Sequence, residues 1–134
     1  MRELKKILYA EDEPDVQTIV QISVWSTCNY EMKVCDNGQL LLDCVEDYKP
    51  DLILLDVMMP FMDGPTTFKN LQLNEATKNI PVIFITTLVQ INALKQFKEH
   101  GIIGVITKPF DPVTLCSDIR ELWEKSQMQV ELVS

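Results

Sequence analysis

The 134-residue chain has one histidine, no CxxC pair, no long apolar run and a shortage of positive charge. Each lack excludes something. Cys28, Cys35, Cys44 and Cys116 have no histidine at ligand spacing, which argues against a metal or redox site built from them and leads us to expect reduced thiols, mostly buried. His100 falls near the expected end of a helix, where a surface imidazole suits the dipole, and so is a poor catalytic candidate. No apolar run approaches the roughly 18 residues of a membrane span. The N-terminus, MRELKKILYAED, passes from a short charged start straight into an apolar strand pattern, without a secretory signal. A cytoplasmic location with no membrane partner is therefore expected. Twelve Lys and Arg stand against twenty Asp and Glu, and the formal charge of -8 lacks the basic patch that phosphate backbones require. Proteins or cations, not nucleic acids, are the expected partners.

What is present alternates. Lys6 to Ala10, Tyr30 to Cys35, Leu52 to Asp56, Val82 to Thr86 and Ile102 to Thr107 are short, β-branched or continuously apolar, and each reads as a strand. Five segments of helical spacing fall between and after them. Their expected faces are Val16, Ile19, Val20 and Ser23 to Trp25; Leu40, Leu41, Cys44 and Val45; Phe68, Leu71 and Leu73; Ile91, Leu94 and Phe97; and Val113, Leu115, Cys116, Ile119, Leu122 and Trp123. Asp36 or Asn37 suits the cap of the second helix, Pro65 the first turn of the third, and Gly101 the end of the fourth. Strict βα alternation at this length implies one domain, a doubly wound parallel sheet with helices on both faces. Residues 1–127 are assigned to it, with a short tail at 128–134.

Such sheets bind ligands at the carboxyl ends of their strands. The first strand delivers Glu11, Asp12 and Glu13 there, the third Asp56, the fourth Thr86 and Thr87, and the fifth Lys108 followed by Pro109. The acid in DLILLDVMMPFMDG, at the end of an otherwise apolar strand, is the most conspicuous. Taken singly, each has an ordinary explanation: helix capping for Glu11 and Asp12, turn initiation for Asp56, strand propensity for Thr86, a solvated charge for Lys108. Together, in order, at the ends of strands one, three, four and five, they point to a site. Converging carboxylates repel unless a hard cation lies between them, and oxygen ligands of this kind suit Mg²⁺. A lysine and a hydroxyl across the same pocket suit an anion of phosphate type.

The blocks KKILYAEDEP, DLILLDVMMPFMDG, PVIFITT and GVITKPFD occur in an order that resembles the receiver domain of two-component response regulators, over roughly Lys5 to Lys125. The resemblance implies a flavodoxin-like (βα)5 sandwich whose five parallel strands run in the order 2-1-3-4-5. It implies that Asp56 is the phosphoacceptor and that Glu11, Asp12 and Asp56, with the backbone carbonyl of Met58, hold Mg²⁺. It also implies that Thr86 and Lys108 contact the phosphoryl oxygens and that the Lys108–Pro109 peptide bond is cis. A sensor histidine kinase or a histidine phosphotransfer protein would supply the phosphoryl group, and a downstream protein would receive the signal or the phosphoryl group itself. The expected activity is thus a stand-alone, chemotaxis-regulator-like switch that catalyses only its own phosphorylation and slow dephosphorylation.

Val105 stands where the family often has Tyr or Phe, and a valine has no ring to swing inward. The alternative is a Mg²⁺-dependent phosphohydrolase working through an aspartyl phosphate. Such enzymes usually carry a second acid two residues after the nucleophile, where this chain has Met58. A flavin-binding version of the same fold is weaker still.

Overall fold

The computed structural model of the protein describes residues 2–87 and 101–133. It contains strands β1 (Lys6–Ala10), β2 (Glu31–Cys35), β3 (Leu52–Asp56), β4 (Val82–Thr87) and β5 (Ile102–Lys108). The helices are α1 (Pro14–Thr27), α2 (Gly38–Tyr48), α3 (Gly64–Leu73) and α4 (Leu115–Val133). The helical pattern of Ile91, Leu94 and Phe97 falls outside the described residues.

All the strands pair in parallel, in the order β2-β1-β3-β4-β5. The central position of β3 explains why its sequence has no polar alternation: both its faces are covered, and every residue from Leu52 to Asp56 is buried. Strand pleating sorts the apolar residues onto two sides. Leu8, Ala10, Ile53, Leu55, Val82 and Phe84 face Leu41 and Val45 of α2 and Phe68 and Leu71 of α3. Ile7, Tyr9, Leu52, Leu54, Ile83 and Ile85 face Val20 and Val24 of α1 and Leu115, Ile119 and Trp123 of α4. Each fully buried aliphatic or aromatic side chain of this size contributes about 1.5–3 kcal/mol of transfer free energy. The core is therefore two apolar layers divided by the sheet, and the strand ends are left free for polar work.

Local signals fix where the helices begin. The Asn37 side chain accepts the Leu40 amide at 2.9 Å, and the Asp63 side chain accepts the Thr66 amide at 2.8 Å, with Pro65 in the first turn of α3. Gly101, at a φ of 104°, occupies the left-handed region that glycine tolerates best.

The expected faces are narrower in the structure. Helix α1 buries Val20, Ser23 and Val24, whereas Ile19, Ile22 and Trp25 turn outward, Trp25 being 70% exposed. A helix lying on a flat sheet covers only one stripe, and these side chains fall beside it. Leu40, Leu73 and Val113 are exposed for the same reason or because they lie at or beyond a helix end. Helix α4 continues without interruption across residue 128 to Val133.

The cysteines need a correction. Cys35 and Cys44 are free thiols, buried and half-buried, with sulfurs 3.6 Å apart. Cys28 and Cys116, expected to be reduced, form a disulfide instead. Packing of the end of α1 against the first turn of α4 brings their Cα atoms to 6.2 Å, within the range a disulfide spans. Sequence spacing does not reveal this, because the two positions are 88 apart.

Gly64 ties the fold to the strand ends. Its amide donates to the Val57 carbonyl at 2.9 Å, and a Cβ added there would strike the Asp56 carbonyl oxygen and lie 3.0 Å from the Val57 Cα. Both neighbours are backbone of the segment that carries Asp56. Gly64→Ala should therefore lower stability by about 1–3 kcal/mol, read from the urea midpoint at unchanged slope, because the backbone must shift to accept the methyl group.

Candidate functional site

Parallel pairing aligns the carboxyl ends of β1, β3, β4 and β5 on one edge. Ala10 pairs with Leu55, so Glu11 follows alongside Asp56; Asp56 pairs with Ile85, and Thr87 with Lys108. The register thus gathers side chains that are far apart in the chain. Glu11, Asp12 and Asp56 each present a carboxylate oxygen within 4.8 Å of the others, an arrangement that can hold a metal ion. Glu11 and Asp56 are buried, and Asp12 is half-exposed at the mouth.

Lys108 enters this cluster from β5. Its Nζ lies 3.0 Å from Glu11 Oε1 and 3.3 Å from Asp56 Oδ1. The peptide bond that follows, Lys108–Pro109, is cis. Thr86 is fully buried one step beyond the Asp56–Ile85 row, and its hydroxyl donates to the Thr87 carbonyl at 3.3 Å. Met58, two residues beyond the end of β3 and after the buried Val57, is 60% exposed. Glu11, Asp12, Asp56 and Lys108 are therefore brought together as the strand-end pattern requires, and Thr86 lies on the same edge.

Two side chains support the acids without having been singled out from the sequence. The Tyr9 hydroxyl donates to Glu11 Oε1 at 3.1 Å. Its position two residues before Glu11 on the same face of β1 was the available signal, since a buried phenol requires a partner. Gln17, on α1, donates from Nε2 to the Glu11 carbonyl at 2.5 Å and to Asp36 Oδ1 at 3.0 Å, fastening the β1–α1 turn to the end of β2. The Glu13 amide donates to Glu11 Oε2 at 3.3 Å, so the Glu11 side chain is held at both oxygens.

The electrostatics follow from burial. Desolvation, then the Glu11 carboxylate beside it, pushes the Asp56 carboxyl up to about 7, with Lys108 opposing. Burial works against the Lys108 ammonium, but Glu11 and Asp56 outweigh it and hold its pKa above the ordinary value. Burial also raises the Tyr9 phenol, and Glu11 raises it further, so Tyr9 stays a neutral donor. Three acids and one lysine leave an excess of negative charge that a divalent cation with oxygen ligands would neutralise.

The family model described as "Response regulator receiver domain" matches residues 7–120. The chain belongs to this family. Among the curated relatives of this receiver domain, DNA-binding dual master transcriptional regulator RpaA of Synechocystis is 31% identical over 123 residues, covering 92% of this chain and 51% of RpaA. Sporulation initiation phosphotransferase F of Bacillus subtilis is 32% identical over 107 residues, covering 80% of this chain and 84% of that protein. The chain spans about half the length of the transcriptional regulators it matches, RpaA (51%) among them. Among solved structures, the chemotaxis response regulator CheY4 of Vibrio cholerae superposes with a TM-score of 0.80 at 25% identity, over 90% of this chain and 99% of that one. The signal receiver domain of a histidine kinase from Syntrophus aciditrophicus gives 0.78 at 30% identity, over 90% and 91%. Strand order and family agree: this is a receiver domain of two-component response regulators, with the flavodoxin-like fold.

The raised Asp56 pKa has a thermodynamic consequence in the absence of metal. Between its ordinary value of 3.8 and about 7 the folded protein binds a proton at Asp56 that the unfolded chain does not. Stability from this group is thus fully present below about 4 and is lost as pH rises through about 7, with a slope of at most about 1.4 kcal/mol per pH unit. Urea denaturation in EDTA across this window should show a component that falls with rising pH in the wild type and is missing in Asp56→Asn.

Proposed function

We propose that this receiver domain is switched by accepting a phosphoryl group on Asp56 from a sensor histidine kinase or a histidine phosphotransfer protein. The observation that carries this reading is the placement of a buried Asp56 within 3.3 Å of the Lys108 ammonium and beside two further acids. An Oδ atom of Asp56 attacks phosphorus, an O–P bond forms as the P–N bond of the donor phosphohistidine breaks, and the imidazole leaves with its electron pair. Lys108 stands ready to balance negative charge on the transferring group, and the Thr86 hydroxyl, released from the Thr87 carbonyl, can donate to a phosphoryl oxygen. Tyr9 and Lys108 fix the orientation of Glu11 throughout.

The donor set fits Mg²⁺: three carboxylates within 4.8 Å, the outer one half-exposed and open to water. In this reading Glu11, Asp12, Asp56 and the Met58 backbone carbonyl hold the ion, which when bound neutralises charge on the nucleophile and the phosphoryl oxygens. Turnover of an outside phosphoester is not part of the reading, because Met58 occupies the place where a phosphohydrolase carries its second acid.

Output passes to another protein or by onward transfer of the phosphoryl group. The relative named as a phosphotransferase supports the second possibility. A cytoplasmic location, where such donors act, belongs to this proposal. Among the described residues no helix is long and apolar enough to cross a membrane.

Incubation with acetyl phosphate and Mg²⁺ should add one phosphoryl group to the wild type and none to Asp56→Asn, read by intact mass. Labelling of the variant at the wild-type rate would move the acceptor elsewhere. Mg²⁺ should raise the melting temperature of the wild type in a saturable manner. Asp12→Ala should weaken that response and, by removing one of three mutually repelling acids, raise the metal-free melting temperature.

A further inference from the structure

At the end of the molecule away from Asp56, the disulfided Cys28 borders a cavity of about 480 Å³ lined by Arg2, Glu3, Tyr30, Arg120, Trp123 and Glu124, among others. Cys28 is half-buried and faces this space, whereas Cys116 is fully buried behind it in the first turn of α4. The Arg120 guanidinium donates from Nη2 to the Cys28 sulfur at 3.1 Å and from Nε towards the Tyr30 hydroxyl at 3.4 Å. A fixed cation against an accessible sulfur favours its thiolate, the form that attacks disulfides, with a buried partner placed to resolve the product.

We infer that Cys28 and Cys116 form a reversible thiol–disulfide site in which Cys28 reacts first, taking a small carboxylate-bearing disulfide of the glutathione type. Arg120 supplies a cationic group for a carboxylate, and Glu3 and Glu124 acceptors for an ammonium group, at the rim of the same cavity, where the Arg2 guanidinium is already paired with Asp51. In the first step the Cys28 thiolate attacks one sulfur of the small disulfide, forming a mixed disulfide and expelling one small thiolate. Cys116 then attacks the Cys28 sulfur, giving up its proton to the second small thiolate as it leaves. Two protein thiols are oxidised, one small disulfide is reduced to two thiols, and no other oxidant is consumed.

The second cysteine pair shows what this site has that proximity alone lacks. Cys35 and Cys44 also have sulfurs close together, at 3.6 Å, but Cys35 is buried among Leu8, Leu41 and Leu55 in the other apolar layer. Burial, followed by the hydrogen bond with Cys44, pushes its thiol up to about 12, so it stays protonated. Its charged neighbours include Lys33 and Asp36, and it does not line the cavity that Cys28 borders.

The experiment starts from full-length protein reduced with dithiothreitol, desalted and exposed to glutathione disulfide. Intact mass should fall by two hydrogens, and peptide mapping without reduction should join Cys28 to Cys116 while Cys35 and Cys44 remain open to alkylation after unfolding. Cys116→Ser should stop at a single glutathione adduct on Cys28. Arg120→Gln should slow the first step several-fold, with partial rescue in Arg120→Lys, at unchanged melting temperature. Failure of the wild type to bridge, an adduct or bridge at Cys35 or Cys44 instead, or an Arg120→Gln rate equal to wild type would overturn the assignment. The wild-type measurement depends on no variant folding, and none of these readouts involves phosphorylation of Asp56.

Discussion

Lys108 is the constraint on which the site depends. Three carboxylates at one sheet edge cannot be held within 4.8 Å of each other in a partly dry pocket without opposing charge, and Lys108 reaches two of them directly. Its reach is set by the pairing of β4 with β5, which carries the side chain to the same edge as Asp56. The sheet order therefore matters to the chemistry as much as to the fold. With β1 and β3 adjacent, the acids meet; with β4 next to β3 and β5 beyond it, the lysine closes over them.

The lysine does not neutralise the cluster, and the remainder shows in the protonation of Asp56. A carboxyl held near 7 between a carboxylate and an ammonium is poised between two charge states. Tyr9, Gln17 and the Glu13 amide restrain the Glu11 segment, Lys108 holds Asp56, and Asp12 remains half-exposed. Val105 on β5 is only partly covered, at 37% exposed. It gives that strand a small branched side chain at the position where the family resemblance leads one to expect an aromatic ring.

Much of this was legible in the sequence because it rests on patterns with a local physical cause. The unbroken apolar run Leu52 to Leu55 can only be a strand covered on both faces, and β3 begins and ends where that run and its acid do. Asn37, one of the two caps expected for α2, and Pro65 mark helix starts by satisfying or omitting amides at the first turn, whereas the Asp63 cap of α3 was not read from the sequence. The strand-end rule gathers Glu11, Asp12, Asp56 and Lys108 at one edge from the sequence alone, and they lie together there. Illegible features depend on side-chain direction or on distance in space. Trp25 and Ile19 fit a helical face by spacing, yet the flat sheet covers only Val20, Ser23 and Val24. Tyr9 belongs to no motif, and its spacing before Glu11 signals a partner without fixing that the partner is the Glu11 carboxylate. The pairing of Cys28 with Cys116 needed the packing of the first helix against the last.

That bridge also changes the topology of the chain as a covalent object. It makes a closed ring of residues 28–116 with an arm at either end. Asp56, Thr86 and Lys108 lie on the ring, while Glu11 and Asp12 belong to the N-terminal arm. Yet β1, on that arm, lies between β2 and β3, both of which are ring segments. An oxidised chain can bring its ring together and still lack the strand that joins β2 to β3, because the arm has to slot in between them. The acids beside Asp56 arrive with that insertion, so the pocket is completed only by a segment that the covalent ring does not enclose.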